Sequence, residues 1–410
     1  MRTLIIGAGL GGLCLAHGLR AAGVDVEIFE RRPSPVDQPS TYGIHLDADG
    51  LRALHACLPA ENWARLVDAA TPARDLVRFH DQRLRALAVR DKETPENTTD
   101  PITRRRAISR AALRDALLIG LDVRWGKEFN RYEYTSDDGV AAFFVDGNSA
   151  DGTSAVGELL VGADGSNSRV RQQRLPNVVR QDLGVLNIAG RVPLTPELAA
   201  LLPAGLIDGS VNNIVPPGPG WMFVSTWHAD QPADAEKYVV WAWAAARGSY
   251  PADVEHHSPA ELRQWVADRV SGWAPGLRRL IAETDPSTVA PVPLRTMPVL
   301  DAWQPTAVTL LGDAIHNMTP MAGIGANTAL RDAAALRDAV LAVGPDDVVG
   351  CVGQYEQRMR GYANQALALS TRNARNAAAE ARLPRLAFRS MLRVASVVPP
   401  VNRAMFGSAE

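Results

Sequence analysis

The hydrophobic positions of the first thirty residues fall into three runs. Thr3 to Gly7 is a short, nearly unbroken apolar run, the pattern of a strand buried on both faces. After a glycine-rich turn, Leu13 to Ala22 has helical character, and Gly23 stands where a helix C-cap favours glycine. Val24 to Glu30 alternates with period two. Strand, helix and strand in so short a span predict a βαβ unit with parallel strands. Farther on, the pattern predicts helices over 48–58, 61–69 and 109–119, strands near 122–134, 140–146 and 157–162, and polar loops at 31–41 and 91–101. From about 184 to 300 the texture changes. Val185 to Gly190, Gly220 to Trp227 and Tyr238 to Trp243 are β-branched and aromatic runs between Pro/Gly turns, which predicts a mostly antiparallel sheet with one helix at about 259–272. Strand character returns at Thr306 to Leu311, followed by a helix over 326–342 and a long helical stretch over 348–395.

Composition narrows the class. With 43 Lys+Arg against 45 Asp+Glu, the 410-residue chain has a formal net charge of −2, so no basic excess points to nucleic acid. A hydrophobic content of 46% and a charged content of 21% exclude disordered and fibrous classes. Cys14, Cys57 and Cys351 are far apart, with no Cys-x-x-Cys pair and no metal-ligand spacing, so the expectation is no disulfide framework, no metal and a reducing compartment. Leu4 to Leu19 is apolar but interrupted by Gly7, Gly9, Gly11 and Gly12, and no other stretch reaches the ~20 apolar residues of a span. The chain therefore reads as cytoplasmic, with no membrane partner, and as a monomer or homodimer.

Three motifs carry chemistry. The first is Gly7-Ala-Gly9-Leu10-Gly-Gly12 between strand and helix. Gly7 permits the turn, Gly9 lets the backbone approach a pyrophosphate, and Gly12 lets helix and strand pack. The helix N-terminus offers free N–H groups to the anion. Glu30, 18 residues past Gly12, is placed for ribose hydroxyls. Arg31 is a candidate cofactor contact, whereas Arg32 reads as surface charge. The second motif is Val161-Gly-Ala-Asp164-Gly165-Ser-Asn-Ser168-Arg169-Val-Arg171. The third runs from Leu311-Gly312-Asp313-Ala314-Ile-His316 through Pro320 to Gly323-Ile-Gly325-Ala326-Asn327. Gly-Asp after a buried strand sets a short carboxylate where α/β folds bind sugars. Gly323 and Gly325 strip side chains from a loop that can lie against a flat ring, and the helix beginning near Ala326 points its positive end there.

With these three motifs in this order, residues 1–345 resemble the class A, single-component FAD-dependent aromatic hydroxylases related to p-hydroxybenzoate hydroxylase. The resemblance implies an α/β fold: a Rossmann-like FAD-binding domain (p-hydroxybenzoate hydroxylase fold, GR2-type), an inserted, mostly antiparallel β-sheet substrate domain, and a C-terminal helical segment. The expected FAD domain is discontinuous, 1–75, 102–178 and 296–345. The substrate domain is 76–101 with 179–295, and the terminal helices are 346–410. The resemblance further implies that Gly7, Gly9, Leu10, Gly12, Glu30 and Arg31 hold the ADP half of a non-covalent FAD. Arg110 would serve the pyrophosphate, Asp164, Gly165 and Arg169 both the pyrophosphate and NAD(P)H, and Gly312 and Asp313 the ribityl chain. Pro320, Gly323, Gly325, Ala326 and Asn327 would lie beside the isoalloxazine, with Pro320 also at the reacting centre. His316 reads as a structural hydrogen bond, and Asp332 as a solvated or capping residue.

The activity implied is hydroxylation or epoxidation of an aromatic or polyketide-like small molecule. NADH or NADPH reduces the flavin, O2 adds to it, and a flavin C4a-hydroperoxide transfers one oxygen. Inactivation of an antibiotic by the same chemistry, or a flavin-bearing scaffold for non-redox cyclisation, are the alternatives. Six of the nine tryptophans lie between 221 and 273, so Trp221, Phe223, Trp227, Trp241 and Trp243 are candidates for the substrate wall. Alternation puts Trp221 and Phe223 on one strand face and Met222 and Val224 on the other. His45 is the candidate phenol-activating base.

Overall fold

A computed structural model describes residues 1–35, 43–91, 100–145, 153–228 and 237–406. Much of the two polar loops read at 31–41 and 91–101 lies outside these residues. The chain forms two compact units. The first comprises Met1–Thr71, Thr99–Gln181 and Arg295–Thr371; the second comprises Pro72–Thr98, Asp182–Leu294 and Arg372–Glu410.

The first unit is built on a five-stranded parallel sheet. Its strand order is Val308–Leu310, Leu159–Gly162, Arg2–Ile6, Asp25–Glu30, Val123–Trp125. The apolar run at the N-terminus becomes the central strand because both its faces are covered: Leu4 and Ile5 are fully buried. The helices Leu10–Ala21, Ala48–Cys57 and Gly325–Val343 belong to this unit. A three-stranded antiparallel sheet, Ser154–Gly157, Val140–Val145 and Glu128–Tyr134, is joined to it through Phe29 and Phe144, whose rings stack with centroids 4.4 Å apart.

The second unit holds a seven-stranded sheet. Its order is Ala290–Thr296, Gln181–Pro193, Lys237–Ala246, Trp221–His228, Val211–Ile214, Leu76–His80, Ala86–Asp91. Helices Pro259–Arg269 and Pro275–Ala282 cover one face, where Leu262, Val266, Leu277 and Leu280 pack with Met222, Val224, Trp241 and Trp243.

The stretch expected to be helical over 348–395 forms the helices Val348–Ala378 and Arg382–Val397, with a further helix, Pro399–Phe406, after them. Pro384 explains the break. It has no N–H to give the carbonyl four residues back, and its ring would strike that carbonyl, so the helix must restart with Pro384 in its first turn. Arg385 then takes the stranded carbonyls, donating to Ala377 and Ala379 as well as to Gly220. The segment expected as a separate C-terminal element thus belongs to the first unit up to Thr371 and to the second beyond it.

Candidate functional site

The strand Arg2–Ile6 ends on Gly7, whose φ of +112° is available to glycine alone without strain. Its N–H donates to the Phe29 carbonyl at 2.7 Å, which fixes the turn to the neighbouring strand. A Cβ on Gly12 would collide with the Gly7 carbonyl oxygen and lie 3.2 Å from Ala163 Cβ. Gly9 differs: its Cβ would meet nothing closer than 4.0 Å. Gly9 precedes the helix Leu10–Ala21 and gives it no side-chain cap. Leu10 turns its side chain into the core, so it can serve a ligand only through its backbone. At the end of the next strand, the Glu30 carboxylate accepts from the Ala8 N–H at 2.9 Å and from the Arg32 N–H at 3.1 Å.

The cations here differ from expectation. Arg31 is exposed, whereas Arg32 is half-buried, with an enclosed Nη1 that has no hydrogen-bond partner among the described residues. Arg32, read as surface charge, is therefore the residue turned inward. Arg110 opens the helix Arg110–Leu118, capped by Ser109, whose Oγ accepts the Ala112 N–H at 3.0 Å. Burial holds the Arg110 pKa below the ordinary arginine value; Asp313 opposes this, while Arg32 and Arg114 add to it. Arg114 itself has two enclosed guanidinium nitrogens without partners. The Arg32 and Arg114 charges thus both bear on Arg110 against the Asp313 carboxylate, while Arg114 reaches the Asp115 carboxylate at 3.5 Å, an arrangement that an anion beside Arg110 would relieve.

In the second motif, Gly165 takes φ +77° and Ser168 caps the turn Arg169–Arg174 through the Arg171 N–H at 2.9 Å. Asp164 accepts the N–H groups of Arg169 and Val170 at 2.8 and 3.3 Å on one oxygen, and its other oxygen is buried without a partner. Burial raises its pKa. Arg169, expected at the pyrophosphate, is engaged elsewhere: its guanidinium donates to the Phe129 carbonyl at 3.0 Å and pairs with Glu128 at 2.6 Å. Arg171, which the motif reading passed over, is buried and donates to the carbonyls of Ala314 and Ser166 at 2.7 and 3.2 Å.

The third motif follows the strand Val308–Leu310. Gly312 adopts φ +59° and leads into a short turn in which Asp313 is exposed. Asp332, expected to be a solvated or capping residue, is fully buried. It accepts from the Gly312 N–H at 2.7 Å, His316 Nε2 at 2.6 Å and the Tyr362 hydroxyl at 2.6 Å. The structural reading of His316 fits this geometry. Burial disfavours its charge, but Asp332 outweighs burial and raises the pKa. Pro320 is exposed at the start of the turn Pro320–Ala322, and Gly323 takes the left-handed φ of +67°. The helix Gly325–Val343 begins there with no side-chain cap and no acid in its first turn, so its leading N–H groups are open donors among the described residues. Asn327 is not at the loop's surface. Its side chain accepts from the Asp47 N–H at 3.1 Å and donates to the His45 carbonyl at 2.9 Å, tying this helix to the strand Ile44–Leu46.

His45 does not suit the base role. Its Nδ1 accepts from Arg105 at 2.8 Å, and burial, then the Arg105 charge, push its pKa down to about 3. A base that weak cannot hold a phenol proton near neutral pH.

The aromatic residues of the second unit separate by face. Trp241 is fully buried over Gly190 and donates its indole N–H to Thr284 at 2.8 Å; Trp243 leans on Trp273 at 5.4 Å. Both lie in the core beneath the two helices and not on a pocket wall. Trp221 and Phe223 lie on the opposite face, across from Ala244 and Ala242, with Trp227 across from Tyr238. Trp221 is fixed by its indole N–H on Asn213 at 2.8 Å and packs against Phe79 and Phe388.

Residues 1–370 match the FAD-binding-domain family. The chain belongs to the class A FAD-dependent monooxygenases. A solved protein from Photorhabdus luminescens, assigned as an FAD-containing monooxygenase, is 43% identical with a TM-score of 0.82, covering 92% of this chain and 98% of that one. The FAD-dependent urate hydroxylase of Klebsiella pneumoniae is 28% identical over 82% of this chain and 80% of its own length. The Klebsiella pneumoniae protein HpxO, solved with FAD and uric acid, shares the fold at 23% identity and a TM-score of 0.79, covering 98% of this chain and 95% of that one. A dual O-methyltransferase/FAD-dependent monooxygenase from Phaeosphaeria nodorum is 30% identical over 82% of this chain. The chain spans 39% of that relative's length and 44% of the corresponding Cercospora beticola protein.

FAD fits what this flavoprotein chain presents. The space beside Gly9, the unpartnered Arg32 nitrogen, the guanidinium excess at Arg110 and the exposed Asp313 are each unexplained by protein contacts and suited to a dinucleotide. Among the described residues, no group of three or more His, Cys, Asp or Glu could hold a metal ion, and no helix is long and apolar enough to cross a membrane.

Proposed function

We propose that this monooxygenase uses NADH or NADPH and O2 to hydroxylate or epoxidise an aromatic or polyketide-like small molecule. Bound FAD would supply the electron transfer and oxygen activation. The observation that carries the reading is the uncapped N-terminus of the helix Gly325–Val343 behind the glycine-stripped loop at Gly323. Open N–H donors and the positive helix end there favour negative charge on a reduced ring system.

The remaining roles follow from side chains. Glu30 would take the ribose hydroxyls, with its orientation fixed by two backbone donors. Gly7, Gly9, Gly12 and the Leu10 backbone would form the phosphate turn, with Arg32 and Arg110 neutralising the pyrophosphate in place of Arg31 and Arg169. Asp313 would accept from the ribityl chain, with Gly312, Asp164 and Gly165 shaping the loops around it. Pro320, Gly325 and Ala326 would border the ring, and Trp221, Phe223 and Trp227 would contact the substrate. The Phaeosphaeria relative's name pairs monooxygenation with O-methylation, a reaction that consumes hydroxyl groups. That pairing supports an aromatic or polyketide-like hydroxyl acceptor.

The test is direct. The purified protein should show an FAD absorption spectrum and oxidise NAD(P)H with matching O2 consumption when an accepted substrate is added. Absence of flavin, or NAD(P)H oxidation that no member of an aromatic substrate panel stimulates, rejects the reading.

A further inference from the structure

Two buried charges grip one short turn from opposite sides. Asp332 is fully buried and reaches the donor end of the turn through the Gly312 N–H at 2.7 Å. Arg171, 4% exposed, reaches the acceptor end through the Ala314 carbonyl at 2.7 Å. The carboxylate meets an N–H and the guanidinium meets a C=O, so each charge is matched to the polarity of the backbone it holds. Between these grips stands Asp313, whose own side chain is left exposed.

Each grip has further support. His316 Nε2 and the Tyr362 hydroxyl both donate to Asp332 at 2.6 Å, which locks the carboxylate in one orientation. The turn closes on itself as well: the His316 N–H donates to the Gly312 carbonyl at 2.9 Å. Arg171 spends its second nitrogen on the Ser166 carbonyl at 3.2 Å, so one guanidinium spans the Asp164 loop and the Asp313 turn. Burying a carboxylate and a guanidinium is costly, and neither is spent on the other. Their common product is the position of the Gly312–Ala314 backbone.

We propose that Asp332 and Arg171 are positioning residues for the Asp313 carboxylate, setting it where the ribityl hydroxyls of FAD can use it. The proposal rests on the flavin reading above. It separates two outcomes that a general stabilising role would merge: the fold can survive while the turn shifts, and then flavin affinity falls in protein that is still folded.

The experiment uses the full chain stripped of flavin, titrated with FAD and followed by quenching of flavin fluorescence. Asp332→Asn, Arg171→Lys and Tyr362→Phe are compared with the wild type at a temperature where circular dichroism shows each to be folded. A lysine carries the charge but cannot reach both carbonyls. Arg171→Lys and Asp332→Asn should each raise the FAD Kd about tenfold or more, and Tyr362→Phe about two- to fivefold, by the loss of hydrogen bonds to charged groups. The double variant Arg171→Lys/Asp332→Asn should lose less than the product of the single effects, because both grips serve one turn. The visible absorption band of bound flavin should also shift in Arg171→Lys. If Asp332→Asn does not fold, Arg171→Lys and Tyr362→Phe decide. Kd values within twofold of wild type, with only the melting temperature lowered, overturn the proposal. A wild-type chain that takes up no FAD overturns the flavin reading and this proposal with it.

Discussion

Two glycines in one motif should respond oppositely to the same substitution. Gly12→Ala puts a methyl group into the Gly7 carbonyl, and overpacking there should cost about 1–3 kcal/mol, read as a lower melting temperature of the flavin-free protein. Gly9→Ala has open space and a φ of −79° that alanine accepts, so the flavin-free melting temperature should hold while FAD affinity falls. His45 gives a second residue-scale prediction. Its pKa of about 3 in the folded protein lies below the ordinary 6.5. Between those values the unfolded chain binds a proton that the folded chain refuses, so His45 costs stability increasingly as pH falls through that window and costs nothing above it. His45→Gln should therefore flatten the fall in urea midpoint between pH 7 and pH 5, and turnover with an accepted substrate should persist. At this scale the sequence was legible where backbone geometry dictated the residue, as at Gly7 and Gly12. It was not legible where the choice lay between adjacent side chains. Arg31 and Arg32 are neighbours of the same chemistry at a strand end, and nothing in that pair of residues tells which one is covered.

Among the elements, helix Gly325–Val343 depends on Asn327 for its tie to the strand Ile44–Leu46. Asn327→Ala removes two hydrogen bonds, leaving the half-buried Asp47 N–H without its acceptor and the buried His45 carbonyl without this donor. That should cost about 2–4 kcal/mol, measured by denaturant unfolding. The aromatic strands allow a paired prediction. Trp241→Phe leaves the Thr284 hydroxyl oxygen in the core without its donor and should lower stability with KM unchanged, whereas Phe223→Ala should raise KM with a smaller loss of stability. Strand alternation placed Trp221 and Phe223 together from sequence. Which face the helices cover was not legible, because the covering residues, Leu262 to Leu280, arrive later in the chain. Asp332 was misread for the same reason. A polar residue on a helix looks solvated until Tyr362, from the next helix, closes over it.

Across the whole molecule, the order of the motifs made a discontinuous flavin domain legible, since residues near 7, 164 and 313 must serve one ligand. The division of the C-terminal helices was not, because it turns on Pro384 and on where Arg385 finds carbonyls. Deleting 379–410 removes Arg385, Arg389, Phe388 and Phe406, which pack on Gly220, Val215, Trp221 and Phe79. Calorimetry should then show the second unit melting earlier, while the first keeps its own core and its FAD uptake. The parallel sheet of the first unit carries one more consequence. Its strand Arg2–Ile6 is the first to be synthesised, yet its neighbour Leu159–Gly162 pairs onward with Val308–Leu310. Arg2–Ile6 has both its neighbours once Leu159–Gly162 is made, but the outer edge of the apolar Leu159–Gly162 strand must wait roughly 150 further residues before the sheet can close. This enzyme is therefore most vulnerable to aggregation during its own synthesis, and slower elongation before residue 308 should lower its soluble yield more than slower elongation after it.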